Sequence, residues 1–242
     1  MMKIWGIAGA GRIVAGRPGT IRQVLAPVVA GIVGVALMLS LTGCTLWTVR
    51  SLHPAAGAAG GASAEPGKPG FSPAAYVDSI WQSKVLPTVQ EQAVDLPSLL
   101  SALKADPEGA KQKYGHHEGQ RPYNFLVKGE GKVLTVDTSS RSRTVKVDLT
   151  PGDGQPDATV QVGPVIRGTS LRDALPFIQF NLFTNQIEYA DVSNQLNDHV
   201  IKDAIGDLDV PGLQGKTLAF AGAFTLDPTG DVLVTPVKLQ AK

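Results

Sequence analysis

Phe125-Leu-Val-Lys-Gly-Glu-Gly-Lys-Val-Leu-Thr-Val136 is the stretch that decides the fold. Its apolar and β-branched residues predict one long strand, and Gly129 and Gly131 predict a bend or bulge near its middle. Downstream, Thr144-Val-Lys-Val-Asp-Leu149 alternates as a half-buried strand does. Pro151-Gly-Asp-Gly154 is a turn, and Ala158 to Ile166 reads as a third strand. A short helix over Ser170–Leu175 then stops at Pro176, and Phe177–Phe180 is a brief strand or a packed loop. Asn185 with Glu188 three residues on has the form of a capping box. It opens a helix to about Ile205, with Tyr189, Val192, Leu196 and Val200 as its buried stripe. Leu218–Phe224 is a fourth strand, Asp227–Asp231 a turn, and Val232–Leu239 a fifth strand.

Three strands, a helix and two more strands is the chain order of an OB-type barrel, whose long first strand curls through both halves. The expectation is therefore an α+β chain: an OB-like five-stranded Greek-key β-barrel over 116–242, with a helix between strands 3 and 4. An unrelated α+β sheet is the alternative. Ahead of the strands lies an N-terminal helical segment, 73–115. Ser72 can cap its first helix, Pro73 fits the first turn, and Tyr76, Val77, Ile80, Trp81 and Val85 share one face. Pro87 should end or kink that helix. Asp95-Leu-Pro97 and Asp106-Pro107 start two short helices, at about 96–104 and 107–114.

The N-terminus reads as an address. Residues 1–43 hold Lys3, Arg12, Arg17 and Arg22 and no acidic residue, and an uncharged apolar stretch, Val24 to Leu41, follows. A basic head, an apolar middle and small residues before a cut site describe a bacterial export signal. Leu41-Thr-Gly-Cys44 resembles the lipobox of bacterial lipoproteins, which implies that the Cys44 sulfur receives a diacylglycerol and that the chain is cut before it. An uncleaved anchor is the competing reading, since 18 apolar residues reach the short edge of a bilayer span. Both readings put the basic flank in the cytoplasm and export the rest. The expected location is the periplasm-facing cell envelope, with the membrane held through the lipid on Cys44. Residues 44–72 form the tether: Pro54 to Pro73 contains six Ala, five Gly and four Pro, a composition that cannot build a core.

Removing residues 1–43 takes away four of the 22 Lys+Arg and none of the 21 Asp+Glu, leaving a net charge of −3. A mildly acidic exported domain has no basic stripe for nucleic acid. A single cysteine excludes both an intramolecular disulfide and a multi-cysteine zinc site. His116 and His117 adjoin Glu118, but neighbouring side chains point apart and no third ligand follows, so no metal is assigned. His199 lies among polar helix positions and reads as a surface residue. Gly129-Glu-Gly131 lies inside a strand, so it signals curvature rather than a dinucleotide turn. No phosphate loop, nucleophile elbow or paired-histidine helix occurs, so no cofactor and no catalytic residues are assigned.

The densest polar cluster is the candidate ligand or partner surface: Arg167, Arg172, Asp173, Asn181, Asn185, Gln186 and Glu188, interleaved with Phe177, Phe180 and Phe183. Amides, arginines and aromatic faces suit a sugar or polyol, whose hydroxyls want bidentate partners and whose C–H faces stack on rings. The plainer reading makes the phenylalanines core, Asn185 a helix cap, and Arg172 with Asp173 an exposed neighbouring pair.

Four longer stretches carry a family likeness. Gly163-Pro-Val-Ile-Arg-Gly-Thr-Ser-Leu-Arg-Asp-Ala174, Phe183-Thr-Asn-Gln-Ile-Glu-Tyr-Ala-Asp-Val192, Tyr76-Val-Asp-Ser-Ile-Trp81 and Asn124-Phe-Leu-Val-Lys-Gly-Glu-Gly131 resemble a family of predicted periplasmic lipoproteins of unknown function. The likeness spans about Pro73 to Leu239. Members are often encoded beside sugar-type ABC importers, so the resemblance implies an accessory role in sugar or polyol uptake, with transporter components or a substrate-binding protein as partners. It supplies no catalytic or binding residues. Three readings stand: an accessory module that works by protein contact, a direct sugar- or polyol-binding lipoprotein, and an envelope hydrolase. A tether of twenty residues reaching on the order of 25 Å suits the first.

Overall fold

Strand β3 (Asn124–Asp137) organises the molecule because its two faces serve two cores. In the computed structural model, which describes residues 62–242, Phe125, Val127 and Val133 point into one apolar cluster and Leu126 into another. Its first half, Asn124–Lys132, pairs antiparallel with β6 (Thr217–Thr225), and its second half, Gly131–Asp137, with β4 (Thr144–Leu149). β4 continues to β5 (Ala158–Gln161), which runs parallel to β7 (Leu233–Ala241). β7 returns antiparallel to β6, so the path of pairing closes on β3. The sheet is mixed and has seven strands rather than five: two-residue strands β1 (Val94–Asp95) and β2 (Gly115–His116) also pair with β3.

The glycines of β3 act differently from expectation. The register shift falls at Val133–Thr135, not at Gly129 or Gly131. A Cβ on Gly131 would collide with the Asp148 carbonyl, and one on Gly129 would lie 2.9 Å from the Phe220 ring. Both residues are there for close approach, which lets the strand curl without a bulge at that point. The third strand is also shorter than expected, ending at Gln161 instead of Ile166. The Gln161 side chain, fully buried, accepts from the Arg167 N–H at 2.8 Å and donates to the Arg167 carbonyl at 3.1 Å. That amide replaces a strand partner and turns 162–167 back. Phe177–Phe180 is a packed loop that leads into a 3₁₀ turn, Phe180–Leu182.

The helices are α1 (Pro73–Ile80), α2 (Leu86–Gln92), α3 (Leu96–Ala105), α4 (Pro107–Tyr114), α5 (Ser170–Ala174) and α6 (Gln186–His199). Ser72, Asp95, Asp106 and Asn185 cap four of them, each accepting from N–H groups of the first turn. Pro87 does not end its helix. A π turn at Trp81–Val85, with the Leu86 N–H bonded to the Trp81 carbonyl, widens the helix just upstream of the ring, and α2 carries on. A second π turn, Val200–Ile205, extends α6. Backbone pairing is present upstream of Ser72: Ser63 bridges to Phe71, the Ser63 N–H bonding the Gly70 carbonyl and the Ser72 N–H the Ser63 carbonyl. Residues 62–72 of the expected tether thus fold back on the domain. The signal 1–43, Cys44 and the rest of the tether lie outside the described residues.

Two cores result. The inner one is enclosed by the strands, built from Val127, Val133, Val145, Val147, Val160, Phe220 and Phe224 among others, and stoppered by Leu96 and Leu99 of α3. The outer one packs α1, α2, α5 and α6 on the opposite face of β3, β6 and β7, through Val77, Trp81, Leu171, Val192, Leu196 and Ala223. Each such side chain contributes on the order of 1.5–3 kcal/mol when fully buried.

Candidate functional site

The richest polar arrangement lies in the outer layer, where α5, α6 and the loop after β2 meet. Arg172 and Asp173 sit side by side on α5. Arg172 is buried at 6% exposure, where an exposed pair was one of the expected readings. Its guanidinium reaches Asp173 Oδ1 at 2.6 Å, donates to the Tyr189 carbonyl at 3.1 Å, and lies 3.7 Å above the Tyr189 ring. Asp173 also accepts from the Tyr189 hydroxyl at 3.1 Å and from Thr169 at 2.5 Å. Arg121 donates to the Tyr189 hydroxyl at 3.1 Å and pairs with Glu118 at 3.3 Å. Glu118 in turn accepts from the Phe180 N–H at 3.0 Å, and His116 Nδ1 meets the Asp173 carbonyl at 2.7 Å.

Two guanidiniums face two carboxylates, so the network is balanced without any ligand. Burial pushes the Tyr189 phenol above its ordinary value, the Arg172 charge pulls it down, and the Asp173 charge pushes it up again. The crevice among His116, Glu118, Arg121, Asn124, Asp173 and Tyr189 is too narrow for a water molecule. Chemically the arrangement is a clasp: it fixes the loop, α5 and α6 together, each polar group satisfied by another.

The other sequence-nominated residues disperse. Asn185 accepts from the Ile187 and Glu188 N–H groups at 2.9 Å each, as the expected cap requires, while Glu188 reaches back one residue past the cap and accepts from the Thr184 N–H at 3.0 Å. Arg167, Asn181 and Gln186 are exposed, and Arg167 takes part through its backbone alone in the bonds to Gln161. His117 packs on Tyr123 with ring centres 4.3 Å apart. His199 departs from the surface position expected of it: its side chain stacks on Trp81 at 4.8 Å and bridges Asp78 at 2.9 Å and Asp203 at 3.0 Å. Among the described residues, no group of three or more His, Cys, Asp or Glu is placed to hold a metal ion. No described helix is long and apolar enough to cross a membrane.

Sequence reasoning missed Glu118 and Arg121 as members of the clasp. Their partner Tyr189 is 68 residues beyond Arg121, so no local spacing could announce the contact. It also missed an apolar feature. The large hydrophobic side chains exposed among the described residues are Phe180 (40%), Leu182 (43%) and Ile187 (73%), all within 180–187. The chain arriving from the N-terminus passes beside them. Phe71 packs on Phe183 at 5.7 Å, and a Cβ on Gly67 would lie 3.1 Å from the Leu182 carbonyl.

This sheet and helix arrangement defines the chain as an OB-fold protein. It superposes on the crystal structure of an OB-fold protein from Thermotoga maritima with a TM-score of 0.58 and 21% identity, covering 72% of this chain and all of that one. Residues 34–240 match the model of the family described as predicted periplasmic lipoprotein (DUF2291), and the chain belongs to that family. It is therefore a lipid-anchored protein of the cell envelope facing the periplasm. No curated protein matches the sequence.

Proposed function

We propose that this lipoprotein is a non-catalytic accessory protein that assists an ABC-type sugar or polyol uptake system through protein contacts. The observation that carries the reading is the exposed trio Phe180, Leu182 and Ile187 in the segment 180–187. Large apolar side chains clustered on the outside of an otherwise well-buried domain mark an interaction surface. Four of the seven polar residues nominated for a polyol are engaged by the fold, Arg172 and Asp173 in the clasp and Asn185 and Glu188 at the helix start, while Arg167, Asn181 and Gln186 stay exposed. The described end of the tether, at Gly67 and Phe71, adjoins the same segment. The uptake system enters only through the gene neighbourhood that the family resemblance implies. For the fold, we infer a Greek-key barrel of the OB type, which the closed pairing path supports.

A second reading, direct binding of a sugar or polyol, is favoured by a cavity of about 710 Å³. It lies between α3, α4 and the β6–β7 turn, with Tyr123, Arg121, Gln120 and Asp227 on its wall. Thermal melting of the mature chain with a panel of sugars and polyols separates the two. A ligand at a hundred times its Kd adds about 2.7 kcal/mol, which raises Tm by about 5–10 °C in a domain of this size. The accessory reading expects a flat panel, and a shift of that size with one polyol would replace it with ligand binding.

A further inference from the structure

We propose that the cavity between α2 and the outer face of the sheet binds a small aliphatic carboxylate. The cavity measures about 450 Å³, within the range of small-molecule sites. Its α2 wall is aliphatic, made by Leu86, Val89 and Ala93, and Val237 continues it on the sheet. The remaining sheet wall is a single register row: Lys128 on β3 pairs with Ala221 on β6, which pairs with Lys238 on β7. Residues in one row point to one face, and strands lie about 4.8 Å apart, so the two lysine Cα atoms are about 10 Å apart. Both flexible arms line the same cavity, above an alanine too small to separate them.

The charge pattern selects the ligand. No carboxylate lines this cavity, and among the described residues neither Lys128 nor Lys238 takes part in an ion pair or side-chain hydrogen bond. Two flexible lysine arms that line one apolar floor can both reach an anion placed between them, which accepts two charge-assisted hydrogen bonds. A carboxylate accepts such bonds and has nothing to donate, which matches a rim of donors. The aliphatic floor then takes a hydrocarbon tail. The lining has no aromatic ring and one amide, Gln90, so it lacks the stacking faces and bidentate partners a sugar would use. This site is separate from segment 180–187 and does not depend on the accessory reading.

The test is calorimetric titration of the mature lipidated chain, held in nanodiscs, with hexanoate, hexanol and hexylammonium, empty nanodiscs serving as the blank. The proposal expects saturable binding of one hexanoate per chain, hexanol at least tenfold weaker, and no hexylammonium binding. The double variant Lys128→Gln/Lys238→Gln should weaken hexanoate at least tenfold with an unchanged melting temperature, because both side chains are exposed. Ala221→Leu should abolish binding by filling the space. Non-saturable hexanoate, equal affinity for hexanol, or undiminished binding by the lysine double variant would overturn it.

Discussion

The space inside the strands and the layer outside them are built on opposite principles. Inside, the cluster is valine-rich and closed by leucines from α3. Outside, the aliphatic packing of α1, α2 and α6 is interrupted by a buried arginine, a carboxylate, a tyrosine and two π turns. The inner core depends on volume and shape, so its members are individually replaceable by anything of the right size. The outer layer depends on partners, because a buried charge that loses its mate has no cheap alternative. Stability should therefore respond to size inside and to pairing outside.

The largest effect belongs to the inner core. Phe224 is fully buried and stacks on Phe125 at 5.3 Å, so Phe224→Ala should cost about 3–5 kcal/mol, read from urea unfolding of the mature chain. Phe224→Leu should recover most of that loss, since shape rather than pairing is what matters there. In the outer layer, Arg172→Met keeps volume yet removes the partner of Asp173, and should cost about 3 kcal/mol. If Arg172→Met proved neutral, pairing would not be the principle of this layer.

Two smaller effects sharpen the same contrast. Loss of the imidazole in His199→Ala takes away both the stack on Trp81 and the bridges to Asp78 and Asp203, at a cost of about 1–2 kcal/mol. The Tyr189 phenol gives a pH signature. Its folded value is raised, so its contribution is complete below the ordinary tyrosine value of 10.0 and is lost as pH climbs through the folded one. Unfolding monitored across that alkaline range should show this loss. Burial raises the Tyr76 phenol as well, so Tyr189→Phe should lessen the loss without abolishing it, while removing the hydroxyl bonds to Asp173 and Arg121. The smallest effect is expected on the surface: Leu182→Ser and Ile187→Ser should each shift stability by under about 0.5 kcal/mol.

The same contrast explains what could be read from the sequence. The expected strands at 144–149, 218–224 and 232–239 match β4, β6 and β7 to within a residue or two, because alternation against a single enclosed core leaves a period of two in the chain. Capping at Ser72, Asp95, Asp106 and Asn185 was legible because the donor and the acceptor lie two or three residues apart. The clasp was not. Arg172 and Asp173 stand in the chain like any exposed pair, and only Tyr189, Arg121 and Glu118, brought from elsewhere by the fold, bury them. Pro87 carried a breaking signal that a π turn upstream cancelled, and nothing in Trp81–Val85 advertises that turn. Exposure at Leu182 and Ile187 was equally silent, since apolar residues at a helix start ordinarily pack inward.

Contact through segment 180–187 is most directly tested by photo-crosslinking in the intact cell envelope. A photoreactive residue replacing Leu182 or Ile187 should trap one discrete membrane-associated protein, and the same residue replacing Lys146, exposed on β4, should trap none. Equal crosslinking from all three positions, or none from Leu182 and Ile187, would contradict the account.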